Sequence, residues 1–346
     1  MLDFLFNYGL FLAKAITVVI AFVVVITAIA AAAQSRNRSD QKGDVKVTAL
    51  NDFYEDLKQT MMHSVLSKDE LKAEEKRKKK EEKDKKKHKD EPRKKRIYVL
   101  DFDGDVKASG AECLSHEVTT VLTMAEKQDE VVLRLESPGG QVHAYGYASS
   151  QLERIRQKEI PLTICVDKVA ASGGYMMACT GDKILAAPFA ILGSIGVIAE
   201  LPNFNRILRK HDVDYDIYTA GEFKRTVTML GENTQEGKRK FIEEIEETHT
   251  LFKDMVKRNR PSLDIAAVST GEHWYGKQCV DLNLVDHIQT SEDYLFDASN
   301  DSDIYEVCYE EKRTMADRFG MAVDGVVGRT INRLLTSLSS QGKKLM

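Results

Sequence analysis

One hydroxyl stands in the middle of residues 169–181, VAASGGYMMACTG, with two alanines before it and two glycines after it. The stretch carries no charge, in a chain that is 30% charged. Small neighbours leave the Ser172 hydroxyl uncovered and let a substrate backbone approach it. A helix beginning at Gly173 would aim its free N–H groups at the same place. That is a setting for acyl transfer, which needs a nucleophile, a base to take its proton and donors for the developing oxyanion. Candidate donors lie in ESPGG, residues 136–140, directly after the strand-like VVLRLE. Paired glycines at a strand-to-helix turn leave backbone N–H groups free to face a carbonyl. Taken singly, each pattern also fits an ordinary turn or a close-packing point.

The base is harder to place. No histidine lies between His143 and His211, so a local Ser-His pair is missing. A lysine serves if it is held neutral, which burial favours by penalising the charged form. Lys224 stands in TAGEFKRTVTML after the strand-like VDYDIYTA. In a sequence this rich in lysine, spacing alone does not select it.

The elements that must position these groups read as alternating strands and helices. IYVLDFDGDV opens a folded region at Ile97, helical spacing follows near 113–127, then VVLRLE, a helix near 141–157, and the strand PLTICVD leading into Ser172. That order predicts an α/β domain with parallel pairing. A long charged helix over 234–258 and a closing helix and strand over 264–290 complete it. The apolar run ILAAPFAILGSIGVIA, 184–199, is 16 residues long and broken by Pro188, Gly193 and Gly196, which makes it a buried core segment rather than a membrane span.

Six motifs in order, ESPGG, VAASGGYMMAC, GSIGV, AGEFKR, Trp274-Tyr-Gly-Lys277 and LNLVDHI, resemble the signal peptide peptidase A family, and within it the one-repeat, membrane-anchored SohB-type proteins. The resemblance covers about 97–289. It implies the spiral of ββα units of the Clp-protease and crotonase superfamily, assembled into homo-oligomeric rings. It places the catalytic serine on Ser172, the general base on Lys224, and a lysine-orienting serine on Ser194. The oxyanion donors fall on Gly139 or Gly140 and on Gly173. The implied chemistry calls for no metal or cofactor. Peptides are the implied substrates: cleaved signal peptides or membrane-protein fragments, extended and apolar. Where the family usually has glycine before the leucine of the closing motif, this chain has Asn283, expected in the left-handed conformation. Two other readings share parts of this pattern, a crotonase-like acyl-CoA enzyme and a non-catalytic membrane scaffold.

The flanks add a membrane. Residues 15–33 are 19 consecutive uncharged, mostly apolar residues, close to the roughly 20 that span a bilayer. Their length exceeds the apolar core of a cleaved signal peptide, so they are expected to stay as an inner-membrane anchor, with 1–14 as a short flank. One Lys precedes the span, and four Lys or Arg follow within twenty residues. The positive-inside rule therefore leans toward a cytoplasmic body, while the resemblance leaves either face open. Leu50, Phe53, Leu57, Met61 and Val65 recur at helical spacing in a juxtamembrane region, 34–71. Residues 72–96 carry a net charge of +8, which leaves −12 for the rest of a chain whose total is −4. This basic band is a solvated helix, a tether or a site for anionic lipid. It lacks the interleaved aromatics of a nucleic-acid binder. The peptidase domain is expected over 97–290. A C-terminal extension over 291–346 follows, its apolar spacing near 312–338 suited to a partner subunit or a membrane surface. Five scattered cysteines without CxxC spacing suggest buried hydrophobes rather than zinc or disulfides.

Overall fold

Alternation along three strands decides where the core lies. In β2 (Lys95–Asp103) and its neighbours, Tyr98, Leu100, Phe102, Val131, Leu133, Leu135, Leu162 and Ile164 point to one face. Ile97, Val99, Val132 and Cys165 point to the other. A period of two with both faces apolar is what a parallel sheet covered on both sides requires. The computed structural model describes residues 9–11, 14, 17, 43–85 and 93–310. Within them, Val45–Tyr309 form one compact unit.

The elements run β1 (Asp44–Ala49), α1 (Leu50–Val65), α2 (Lys68–Lys85), β2, α3 (Ala111–Leu122), β3 (Glu130–Glu136), α4 (Val142–Gln157), β4 (Leu162–Val166), β5 (Val169–Ala171), α5 (Gly173–Ala178), β6 (Lys183–Ala186) and β7 (Ile191–Gly193). They continue with α6 (Asn205–Lys210), α7 (Gln235–Asn259), α8 (Ile265–Val268), β8 (His273–Tyr275), α9 (Gly276–Asp281), β9 (His287–Ile288), α10 (Ser291–Ala298) and β10 (Ser302–Glu310). A seven-stranded sheet has the order β1-β10-β2-β3-β4-β6-β9, and β5-β7-β8 form a second sheet of three. From β10 to β9 every pairing in the large sheet is parallel. One core includes Leu114 and Val118 of α3, Tyr145, Ala148 and Leu152 of α4, and Tyr175 and Met177 of α5. Leu295 of α10 belongs to the other, with Leu50 of α1 packed against it.

This is the α/β architecture expected from the alternating pattern, and it takes in more chain than 97–290. Strands β1 and β10 extend the sheet beyond β2, and Asn51 of α1 binds the Ser299 and Ser302 carbonyls and the Ile304 N–H. The run 184–199 forms β6, β7 and the connection after them. VDYDIYTA forms no strand among the described residues: 213–219 run exposed with no ladder partner, and a strand without a neighbouring edge has nowhere to place its backbone bonds. The basic band is helical as far as Lys85 in α2. The expected span 15–33, apart from residue 17, and the segment 312–338 lie outside the described residues. None of the described helices is long and apolar enough to cross a membrane.

One buried charge makes the fold pH-sensitive. Glu117 on α3 is 5% exposed. Its Oε1 accepts the Tyr309 N–H at 2.8 Å, while Oε2 has no partner among the described residues. Burial, helped by Asp101, pushes its carboxyl up to about 7 from 4.5. The fold therefore prefers the protonated acid: the cost is absent below pH 4.5, grows as pH rises through about 7, and is constant above. Glu117→Gln keeps an acceptor for Tyr309 and removes the charge. It is expected to stabilise the protein by about 2 kcal/mol at about pH 8 and to make little difference at about pH 4. Urea unfolding at the two pH values measures this, and an equal effect at both would contradict it.

Candidate active site

Ser172 sits at the elbow between β5 and α5, at φ 52° and ψ −116°. A positive φ is uncommon outside glycine, and residues held there cluster at functional sites. The elbow is braced on both sides. Ser137, just past β3, bridges to β5: its N–H donates to the Val169 carbonyl at 2.8 Å, and the Ala171 N–H donates to its carbonyl at 3.0 Å. On the other side, β5 pairs with β7, and the Ser172 N–H donates to the Gly193 carbonyl at 2.8 Å. The Ser172 side chain makes no capping bond to its own helix.

The glycines around it are explained by close approach. A Cβ on Gly139, at φ 90°, would stand 2.6 Å from the Ala171 carbonyl oxygen and 2.8 Å from both the Gly173 nitrogen and the Ser172 Cβ. The ESPGG turn is thus pressed directly against the serine. Gly140 lies on the Val106 carbonyl with no room for a side chain. A Cβ on Gly174 would come within 2.5 Å of the Ser137 carbonyl oxygen. As the first residue of α5, Gly173 has no intrahelical acceptor for its N–H. The Gly139 N–H donates to Ser137 Oγ at 3.1 Å, whereas that of Gly140 has no acceptor among the described residues.

Ser194 follows β7 and also has positive φ, 51°. Register pairs Ala171 with Gly193, so the two serines each follow a paired residue of neighbouring strands. The Ser194 N–H donates to the Glu272 carbonyl at 2.6 Å. The Trp274 ring fills the space a Gly193 side chain would need, 2.7 Å from such a Cβ. Trp274 therefore acts as packing that pins β7. The closing motif is structural too. Tyr175 of α5 donates its hydroxyl to the Leu284 carbonyl at 3.0 Å. Asn283 has φ 59°, and its carbonyl accepts from Arg260, which also pairs with Asp286.

The structure brings Ser172, Gly139, Gly140, Gly173 and Ser194 into one neighbourhood, but it does not join Lys224 to them. Lys224 is exposed on the excursion between β7 and α7. Its N–H donates to the Gly221 carbonyl at 3.2 Å, and its ammonium makes no hydrogen bond or ion pair among the described residues. The base of that excursion is stapled by Asn203 to the Thr228 and Gly231 carbonyls and by Asn205 to Leu230. Lys240 of α7 lies over the Phe223 ring beside Lys224. No cluster with metal-ligand character occurs among the described residues. The nearby thiol of Cys179 is no rival nucleophile, because burial pushes it up to about 12.

The residues that hold this neighbourhood from behind carry little signal in the sequence. Ser137 is visible there only as part of ESPGG. Tyr145 reads as an ordinary apolar position of α4, since its partner Asp105 is forty residues away.

The model of the peptidase family S49 N-terminal region matches residues 3–152, and that of peptidase family S49 matches 154–304. The probable protease SohB of Haemophilus influenzae is 47% identical over 97% of this chain and 98% of its own length. The probable protease SohB of Buchnera aphidicola from Acyrthosiphon pisum is 43% identical over 96% of this chain and 98% of its own. Among solved structures, the 1510-N membrane-bound stomatin-specific protease in complex with a substrate peptide aligns with a TM-score of 0.41 at 12% identity, over 67% of this chain and 99% of that one.

Proposed function

The chain belongs to peptidase family S49, and from that premise we propose a membrane-anchored serine endopeptidase that hydrolyses extended apolar peptides with Ser172 and Lys224. Neutral Lys224 removes the Ser172 proton, and Oγ attacks the scissile carbonyl. The N–H groups of Gly173 and of the Gly139-Gly140 turn stabilise the tetrahedral oxyanion. The intermediate collapses, the C–N bond breaks, and the lysine returns its proton to the leaving amine. Water then hydrolyses the acyl-enzyme by the same route. Ser194 orients the lysine.

The observation that carries this reading is the elbow. A serine at positive φ starts a helix, and an oxyanion-type turn packs within van der Waals distance of its Cβ. A structural serine would have no need of that strain. A glycine would fit such a φ more easily.

Several finer points belong to the same proposal. Residues 15–33 anchor the protein in a bacterial inner membrane. The peptidase domain that opens at Ile97 takes the Clp-protease and crotonase spiral, with β1 and α1 of the juxtamembrane region and α10 and β10 of the C-terminal extension joined to its sheet and core. The subunits assemble in a ring. Apolar side chains along the excursion support assembly: Ile198 is 80% exposed and Tyr218 90%, with Phe204, Ile207 and Phe223 also uncovered. A run of this kind marks a surface made to be covered by protein or peptide. Signal-peptide or membrane-protein fragments suit such surroundings.

A fluorophosphonate probe tests the chemistry on the detergent-solubilised chain. Mass spectrometry of the labelled protein is expected to find the phosphonyl adduct on Ser172. Absence of labelling, or an adduct on another serine, would refute the assignment and return the crotonase-like and scaffold readings to the front.

A further inference from the structure

Tyr145 is fully buried on α4, and its hydroxyl is the middle of a hydrogen-bond chain whose direction is fixed by its ends. The Asp105 carbonyl only accepts, so Tyr145 donates to it, at 2.7 Å. With its proton placed there, the Tyr145 oxygen accepts from the Ser137 hydroxyl 2.5 Å away. Ser137 Oγ in turn accepts the Gly139 N–H at 3.1 Å. The chain thus runs from the turn pressed against Ser172 back to the loop that follows β2. Burial raises the Tyr145 hydroxyl above its ordinary range, which keeps the donor protonated.

Space is as restricted as direction. A Cβ on Gly104 would stand 2.5 Å from Ser137 Oγ and 2.6 Å from the Tyr145 hydroxyl. A Cβ on Gly173 would stand 2.5 Å from Tyr145 Cγ. One tyrosine therefore touches both sides of the site. Its ring supports the first residue of α5, and its hydroxyl supports the turn opposite. Ser137 is likewise doubly used, with its backbone on β5 and its side chain on Gly139.

We infer that Tyr145 and Ser137 are positioning residues for the oxyanion-binding turn, an inference that rests on the peptidase reading. They occupy the Gly139 N–H, fix the peptide planes on either side of it, and hold the turn against Ser172 before a substrate arrives. The Gly140 and Gly173 N–H groups are left to face the developing charge. Donors of this kind act because they are preorganised, and a productive geometry tolerates only about half an ångström of error. A loosened turn binds the ground-state peptide almost as before and the transition state less well. The effect should therefore fall on kcat rather than KM.

Tyr145→Phe removes the hydroxyl and keeps the ring, while Ser137→Ala cuts the chain one link nearer the turn. In the full-length detergent-solubilised protein, with an extended apolar fluorogenic peptide, each variant is expected to lower kcat about 10- to 100-fold with KM within about 3-fold. The affinity for a peptide boronate, which forms a tetrahedral adduct on the serine, should fall in parallel with kcat. Phe102→Leu is the packing control, since Phe102 meets the Tyr145 ring edge-on at 6.3 Å and leaves the hydroxyl chain intact. It should keep kcat within about 2-fold of wild type. An unchanged kcat in Tyr145→Phe and Ser137→Ala, or an equal loss in Phe102→Leu, overturns the inference while leaving an active wild type and its peptidase reading in place. A wild type that neither cleaves peptide nor reacts with the probe overturns both.

Discussion

Ser172→Ala is expected to lower kcat toward an extended apolar peptide by at least about 10⁴-fold while leaving the fold and peptide binding unchanged. The size of the effect follows from what is removed. Without Oγ no acyl-enzyme forms, and catalysis falls back on whatever the oxyanion donors do for direct attack by water. The fold should tolerate the change, because the Ser172 side chain caps nothing and its backbone bonds to Gly193 and Met176 do not involve Oγ. Alanine at φ 52° meets much the same backbone cost as serine, so the strain at the elbow stays as it is. Steady-state hydrolysis combined with binding of a fluorescent peptide separates the two effects. Residual turnover within about tenfold of wild type would mean that another nucleophile does the work.

That the serine could be read from sequence at all has a local cause. Its requirements are met by neighbours in the chain: small residues before it, glycines after it, and a helix start. All are visible in VAASGGY. The α/β layering was legible for a similar reason, since VVLRLE and PLTICVD are mostly apolar runs of strand length between helical spacings. What stayed hidden depends on residues brought together from a distance. Gly139 must be glycine because Ala171 and Ser172 press on it from another strand. Trp274 matters because it fills the space beside Gly193, eighty-one residues earlier. The strand VDYDIYTA failed for a related reason. Alternating apolar residues propose a strand, but only an available sheet edge makes one, and 213–219 meet none among the described residues.

Lys224→Ala is expected to slow both peptide hydrolysis and fluorophosphonate labelling by about 10²- to 10⁴-fold, the range of a positioned general base. Lys224→Arg should be no better, since a guanidinium stays charged and takes no proton. The stability of the single chain should hardly change, because the ammonium is exposed and bonds to nothing among the described residues. Exposure in the single chain is compatible with the role of a base because of where Lys224 lies. It stands on an excursion whose base is stapled by Asn203 and Asn205 and whose flanks leave Tyr218 and Phe223 uncovered. Covering those aromatics, by a neighbouring subunit or by substrate, would bring the excursion and its lysine against protein or peptide. The small probe and the peptide together distinguish the two roles open to this residue. If Lys224 is the base, probe labelling and peptide hydrolysis fall together in Lys224→Ala, because both need the Ser172 proton removed. If labelling stays within about threefold of wild type while peptide hydrolysis falls, Lys224 only binds substrate, and the base must be sought elsewhere around Ser172.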